Sequence, residues 1–145
     1  MAGEYLHTKR GSCFVIVHGD VPPRDEEFHR GFDQIEAAGA LGEVRVFVYA
    51  AGSGGPNATQ RQRFGVLAKM DARAVLVTDS RVIRGILTAV AWVLPATIRG
   101  FPTHRAADAL HALECSELQR QHFVEMIDSL SLAGGYPRLS FTSES

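Results

Sequence analysis

The sequence has few cysteines and almost no net charge, and each scarcity narrows what the protein can be. Only 2 of its 145 residues are cysteine, Cys13 and Cys115, and they form no Cys-x-x-Cys pattern. In a reducing cytosol such isolated cysteines act as small core residues, and we predict that role for both. The formal net charge is −1. Because the chain has no basic excess, we expect no binding to nucleic acid or to an anionic membrane surface.

Long apolar segments are also missing. The first ten residues, MAGEYLHTKR, have no apolar segment after their charges, which is not typical of a signal peptide. The apolar stretch Arg81–Leu94 is shorter than the about 20 residues that a membrane span needs. We therefore predict a cytoplasmic protein without a membrane span. Its hydrophobic fraction of 46 % and charged fraction of 21 % are those of a globular domain.

Catalytic and metal-binding motifs are absent as well. The loop around Ser53 would need glycine at Asn57 to make a dinucleotide fingerprint, and no Gly-Lys-Ser/Thr follows to make a phosphate-binding loop. The six histidines show no His-Glu-x-x-His spacing, and Gly-Ser-Gly is not the nucleophile elbow Gly-x-Ser-x-Gly. We therefore predict no enzymatic activity, no catalytic residues, no metal site and no cofactor.

The most strongly patterned part of the chain is a central strand–helix–strand unit. Ala74–Thr78 is a nearly continuous apolar run, which is typical of a parallel strand covered on both faces. Ser80 is a good N-cap for a largely apolar helix over 81–94, and Pro95 ends that helix. The next strand spans 96–101. A unit this compact predicts a right-handed parallel crossover.

The residues before this unit predict a hairpin, a helix and a strand. Glu4–Lys9 and Ser12–His18 are strand candidates joined by a turn, which indicates an antiparallel hairpin. Asp25 is then the predicted N-cap of a helix that stops at Gly39. Val44–Ala50 alternates partly and is rich in β-branched and aromatic residues, so it predicts a strand.

Two capping boxes and a further cap mark the other helices. Asn57 with Gln60 predicts a helix that runs to about Met70, and Ser116 with Gln119 predicts the last helix. Between them, a helix capped by Thr103 is expected to bury four apolar side chains, namely Ala106, Ala109, Leu110 and Leu113. The pair Gly134-Gly135 should end the last helix.

This order of elements predicts the fold class. We expect a single α/β domain over 1–133, with a mixed, mostly parallel sheet, an N-terminal β-hairpin and flanking helices. Residues 134–145 have no strong periodicity and are predicted to form a mobile C-terminal tail.

The glycine-rich loop Gly52–Gly55 lies between a predicted strand and a predicted helix. The backbone N–H groups of Gly54 and Gly55 are candidates to hold an anion at the helix N-terminus. The alternative is a flexible turn that needs glycine for positive φ. The residues alone leave both interpretations open.

A second candidate anion or ligand site consists of Ser80, Arg81 and Arg84, at the start of the predicted helix. Arg81 and Arg84 near a helix N-terminus oppose the macrodipole, so a negative partner is expected. That partner is a carboxylate, with Asp79 or Asp71 as candidates, or it is a bound anionic ligand. Strand ends converge on one edge of an open α/β sheet, which predicts that this site lies near the glycine loop.

The stretch VLVTDSRVIRGILTAVAWVLPATIRGFPTHRAADALHAL resembles the bacterial STAS-like proteins of the anti-sigma-factor-antagonist superfamily. The resemblance covers roughly Ser12–Leu113. The shared features, in chain order, are a strand, a small-residue turn, a helix with an aromatic residue near its end, the strand Ile-Arg-Gly-Phe and an alanine-rich helix.

This resemblance implies a STAS-like fold and a non-enzymatic regulatory module that docks a protein partner. In phosphorylated members of the family, a serine in the corresponding loop is modified by a partner kinase. Ser53 is the matching position here, and Thr59 is a second candidate. A phosphate there would add a charge of about −2 to the docking surface.

The alternative function is a carrier or sensor of a small, lipid-like anion. In that hypothesis the ligand lies between Arg84 and the apolar helix faces, as the general plan of CRAL-TRIO-like lipid-binding domains suggests. A homodimer is also predicted as an option, because an apolar last helix and a spare sheet edge both need cover.

Overall fold

The computed structural model describes residues 5–52, 54–63, 65, 70–81 and 98–142. These residues form one five-stranded mixed sheet with helices on both faces. The strands are β1 (Leu6–Arg10), β2 (Cys13–His18), β3 (Val44–Ala50), β4 (Ala72–Val77) and β5 (Ile98–Phe101). The α-helices are α1 (Asp25–Gly39), α2 (Ala58–Gln62), α3 (Ala106–Ala112) and α4 (Glu117–Gly134), and a 3-10 turn (Thr103–Arg105) precedes α3.

The sheet has the predicted mixed character. Its strand order is β1-β2-β3-β4-β5; β1 is antiparallel to β2, and the remaining neighbours are parallel. The hairpin turns at Gly11, whose φ of 57° is one that glycine adopts without a steric cost. Every residue of β2 is buried, as expected of a strand with both faces covered.

Successive side chains of each strand enter different layers of the core. Val15 and Phe47 belong to a layer shared with α3 and α4, whereas Phe14 and Val46 belong to the layer that packs against α1. This follows from the period of two in a strand. All four apolar residues predicted to face inward from α3 are buried. Of the two cysteines, Cys13 is buried in the core and Cys115 is only partly buried beside it.

Both predicted capping boxes are present. The Asn57 Oδ1 accepts from the Gln60 N–H at 2.8 Å, and the Gln60 Oε1 accepts from the Asn57 N–H at 3.0 Å. Ser116 and Gln119 make the same reciprocal pair. At the far end of α4, Gly135 takes the left-handed conformation with φ 71°, which confirms the predicted stop.

Two predicted caps are wrong, because their side chains have partners elsewhere in the fold. Asp25 is the first residue of α1 rather than its cap, and its carboxylate accepts from the Nε2 of Gln60 at 2.8 Å. Thr103 opens the 3-10 turn rather than capping α3 and binds Asp79. Gly39 does end α1, but without a positive φ: a Cβ there would lie 2.7 Å from the sulfur of Met70.

Parts of the predicted central unit and of the predicted helix after Asn57 lie outside the described residues. This applies to the helix over 82–94, including Arg84, and to the extension of α2 through 64 and 66–69. Within the described ranges, no helix is both long enough and apolar enough to cross a membrane.

Candidate ligand cavity at the carboxyl edge of the sheet

A cavity of about 520 Å³ opens where parallel strands β3 and β4 end. Four stretches of chain line it, namely 49–52, 78–80, 103–104 and 137–140. The first stretch contains the last two residues of β3 and the two that come after it. The second follows β4, the third follows β5, and the fourth belongs to the C-terminal tail. In open α/β sheets, this carboxyl edge is where ligands bind.

One wall of the cavity is held by the carboxylate of Asp79. It accepts the backbone N–H of Thr103 at 3.0 Å and the Thr103 hydroxyl at 2.7 Å. Thr78, the buried neighbour of Asp79, makes two further bonds. Its Oγ1 accepts from the N–H of Ser80, and its own N–H donates to the carbonyl of Phe101 at 2.9 Å. These bonds join the end of β4 to the chain that follows β5, and they place a negative charge in the wall.

Another wall of the cavity is the C-terminal tail. The buried Tyr49 donates its hydroxyl to the carbonyl oxygen of Pro137 at 2.9 Å. Burial raises the pKa of Tyr49, and the nearby Asp79 carboxylate raises it further, so the phenol stays protonated and acts as a donor at neutral pH. Arg138 adds a positive charge to this wall and forms an ion pair with Asp128 of α4 at 2.9 Å.

The glycine-rich loop packs tightly against the loop after β2. The N–H groups of Ala51 and Gly52 donate to the carbonyl of His18, and that of Gly54 donates to the carbonyl of Gly19. A Cβ on Gly54 would lie 2.4 Å from the carbonyl oxygen of Asp20. The glycines at 52 and 54 therefore allow two backbones to approach each other closely.

This packing changes both sequence interpretations of the loop. Gly52 does not have a positive φ, so a turn that needs glycine for that reason is not what is seen there. The N–H of Gly54 is already bonded within the protein, so it is not directed at a ligand. At Gly55, a Cβ would meet nothing within 4 Å, and anion binding by this residue stays a prediction.

The other predicted site residues are spread over this edge. Ser80 lines the cavity together with Gly52, which places both predicted strand ends beside one space. Arg81 is exposed and is not among the residues that line the cavity. Thr59 is exposed in the first turn of α2. Ser53, like Arg84, lies outside the described residues.

Sequence reasoning missed the contribution of the tail. Residues 136–142 have no helix or strand assignment, yet Leu139 is buried, and the ring of Phe141 lies 6.1 Å from that of Phe47 in an edge-on arrangement. The spacing of two between Leu139 and Phe141 is a strand-like pattern that could have indicated an extended segment with one apolar face. The mobility of the tail in solution stays a prediction.

A second buried polar group lies at the end of the neighbouring strand. The ring of His18 is 5.1 Å from that of Tyr5, and its Nδ1 has no hydrogen-bond partner among the described residues. Burial lowers the pKa of His18 to about 4, so the imidazole is neutral at physiological pH. His18 does not line the cavity.

Comparison of this chain with family models, with curated proteins and with solved structures finds no match. The described residues contain no group of three or more histidine, cysteine, aspartate or glutamate side chains that could hold a metal ion. The interpretation of the site therefore rests on its geometry.

Proposed function

We propose that this chain is a non-enzymatic binding module whose carboxyl-edge cavity takes a small amphipathic molecule. The observation that supports the proposal is the cavity itself. Its volume of about 520 Å³ lies within the range of small-molecule sites, which is roughly 300–1,000 Å³. Apolar and polar residues from separate segments of the chain share its wall.

The charges in the wall disfavour an anionic ligand. Asp79 contributes a negative charge and Arg138 a positive one, and Arg138 is already paired with Asp128. Ala50, Ala51 and Leu139 supply apolar surface. We therefore expect an uncharged or zwitterionic molecule with an apolar body, rather than the lipid-like anion that the sequence suggested.

Nuclear magnetic resonance can test this proposal with a library of uncharged amphipathic compounds. Binding should shift the amide signals of 49–52, 78–80 and 103–104. The variant Ala51→Leu fills the cavity and should abolish those shifts. Ala37→Leu adds the same volume on the exposed surface of α1 and should leave them unchanged. Compounds that bind both variants equally well would contradict the proposal.

A second proposal is the STAS-type regulatory docking module in the bacterial cytoplasm. It is supported by the hairpin followed by helix–strand alternation, and by the exposure of Thr59 just after the tightly packed glycine loop. In this proposal, Ser53 or Thr59 is phosphorylated, and a protein partner docks on the surrounding surface. Homodimerisation remains part of the same proposal.

Mass spectrometry of protein from its own host distinguishes the two. One added phosphate mapped to Ser53 or Thr59 would support the regulatory module. A larger added mass that is lost on denaturation would support the small-molecule module. If neither is found and no partner is captured, the regulatory proposal is wrong. Neither proposal includes catalysis, and the absence of enzymatic activity stays a prediction.

A further inference from the structure

We infer that the C-terminal tail, residues 136–142, is the closing wall of the cavity, so that ligand binding and tail docking stabilise each other. This inference rests on the proposed binding function and adds its regulation. Four consecutive tail residues, 137–140, line the cavity. Without them, the same space would be a groove open to solvent on that side.

Among the contacts that hold the tail, one polar and two apolar ones attach it to the core of the sheet. The polar contact is the hydrogen bond from the Tyr49 hydroxyl to the Pro137 carbonyl, and both of these residues line the cavity. The apolar contacts are those of Leu139, which belongs to the same buried cluster as Phe47, and Phe141, which packs edge-on against Phe47. The cavity wall is thus attached directly to the core of the sheet.

The attachment lies mainly in side chains. Residues 136–142 belong to no helix or strand, and the ion pair between Arg138 and Asp128 is largely exposed, with 75 % of the Arg138 side chain accessible. A segment with few backbone hydrogen bonds lies at the low end of local stability. We therefore expect the tail to undock more readily than the strands it covers.

The end of α4 provides the pivot for such movement. The helix ends at Gly134, and Gly135 has a left-handed φ of 71°. A Cβ on Gly134 would lie 2.2 Å from the ring of Tyr136. The Tyr136 ring therefore packs directly against the last residue of the helix. The N–H of Tyr136 donates to the carbonyl of Ser131 at 2.8 Å, so the tail can undock beyond Tyr136 while this helix end stays bonded.

Linkage turns this geometry into a measurable effect. A ligand that touches 137–140 binds the docked state better than the undocked one, so it shifts the population toward docking. The coupling is reciprocal: the factor by which the ligand favours docking equals the factor by which docking raises ligand affinity. A variant that lowers the docked fraction therefore binds the ligand more weakly, in proportion to that fraction. Coupling of this kind typically changes affinity by about 5- to 150-fold.

The test uses the full-length protein with Nile red, an uncharged amphipathic dye, as the probe. The wild-type protein should bind the dye, and binding should slow amide hydrogen exchange in 136–142. Phe141→Ala removes an anchor that does not line the cavity. It should weaken dye binding at least about fivefold and speed exchange in the tail. Leu132→Ala, an exposed position on α4, is the control and should change neither quantity.

The possible outcomes distinguish a failure of the tail coupling from a failure of the proposed binding function. Equal dye affinity in the wild type and in Phe141→Ala, with tail exchange unaffected by the dye, would overturn the coupling and leave the binding function standing. No dye binding at all, or binding that Ala51→Leu does not reduce, would overturn both.

A second variant serves if Phe141→Ala unfolds the sheet. Tyr49→Phe keeps the buried ring and removes only the hydrogen bond to Pro137. It should speed tail exchange and weaken dye binding. If tail exchange and dye affinity both stay at the wild-type values, the coupling is wrong.

Discussion

The carboxylate of Asp79 binds both the backbone N–H and the hydroxyl of Thr103, 24 residues further along the chain. Asp79 follows β4, and Thr103 begins the 3-10 turn after β5. Both residues line the cavity. This pair therefore fixes the relative position of two segments on one wall of the candidate site.

Loss of the Thr103 hydroxyl should destabilise the protein. Thr103→Val keeps the shape of the side chain but leaves one of the two bonds to Asp79 unmade. We expect the free energy of unfolding to fall by about 0.5–1.5 kcal/mol in urea denaturation. Thr103→Ser keeps the hydroxyl and should retain more of that stability. If the valine variant proves at least as stable as the serine variant, the hydroxyl contributes nothing.

Acid should destabilise the protein through His18. Its pKa is about 4 in the folded protein, against an ordinary value of 6.5. Above pH 6.5, the imidazole is neutral in both states. As the pH falls from 6.5 to about 4, only the unfolded chain takes up the proton, so folding stability falls by about 1.4 kcal/mol per pH unit.

The variant His18→Phe isolates this effect from the titration of the carboxylates. Phenylalanine fills the buried position without a titratable group. As the pH falls from 6.5 to 4, the unfolding free energy of the wild type should decrease relative to that of this variant. A difference that stays constant over this range would show that His18 is not responsible.

Because two loops approach each other closely, alanine at Gly54 should lower the stability of the protein, whereas alanine at the adjacent Gly55 should not. Gly54→Ala places a Cβ 2.4 Å from the Asp20 carbonyl oxygen, so the backbones must separate. We expect a loss of about 1–3 kcal/mol in unfolding free energy. Gly55→Ala meets nothing within 4 Å and serves as the matched control. Equal stability of the two variants in thermal or chemical unfolding would contradict this account of the loop.

The two thiols should react slowly with alkylating reagents in the folded protein. Burial raises the pKa of both Cys13 and Cys115, which lowers the fraction of reactive thiolate. Cys13 is also closed to solvent. Mass spectrometry after iodoacetamide treatment near pH 7.5 should show no labelling of Cys13 and slow labelling of Cys115, while both react in urea. Rapid labelling of Cys13 in native protein would show that the core opens there.

Local interactions explain which helix ends could be predicted from the sequence. The pairs Asn57–Gln60 and Ser116–Gln119 bond within three residues, so the capping boxes form wherever the helices lie. Thr103 has the right chemistry for a cap, but the fold brings Asp79 beside it. Competition from a distant partner cannot be deduced from a short window of sequence.

The amino-acid sequence alone determined the α/β class, the strong strands and the order of the elements, because these follow from periodicity and from contacts within a few residues. The tertiary structure decided where the candidate site lies. The cavity depends on a strand order that brings 49–52, 78–80 and 103–104 to one edge, and on a tail that returns to pack against Phe47 and Tyr49. Contacts between such distant segments depend on the packing of the whole core, so a local sequence pattern does not predict them.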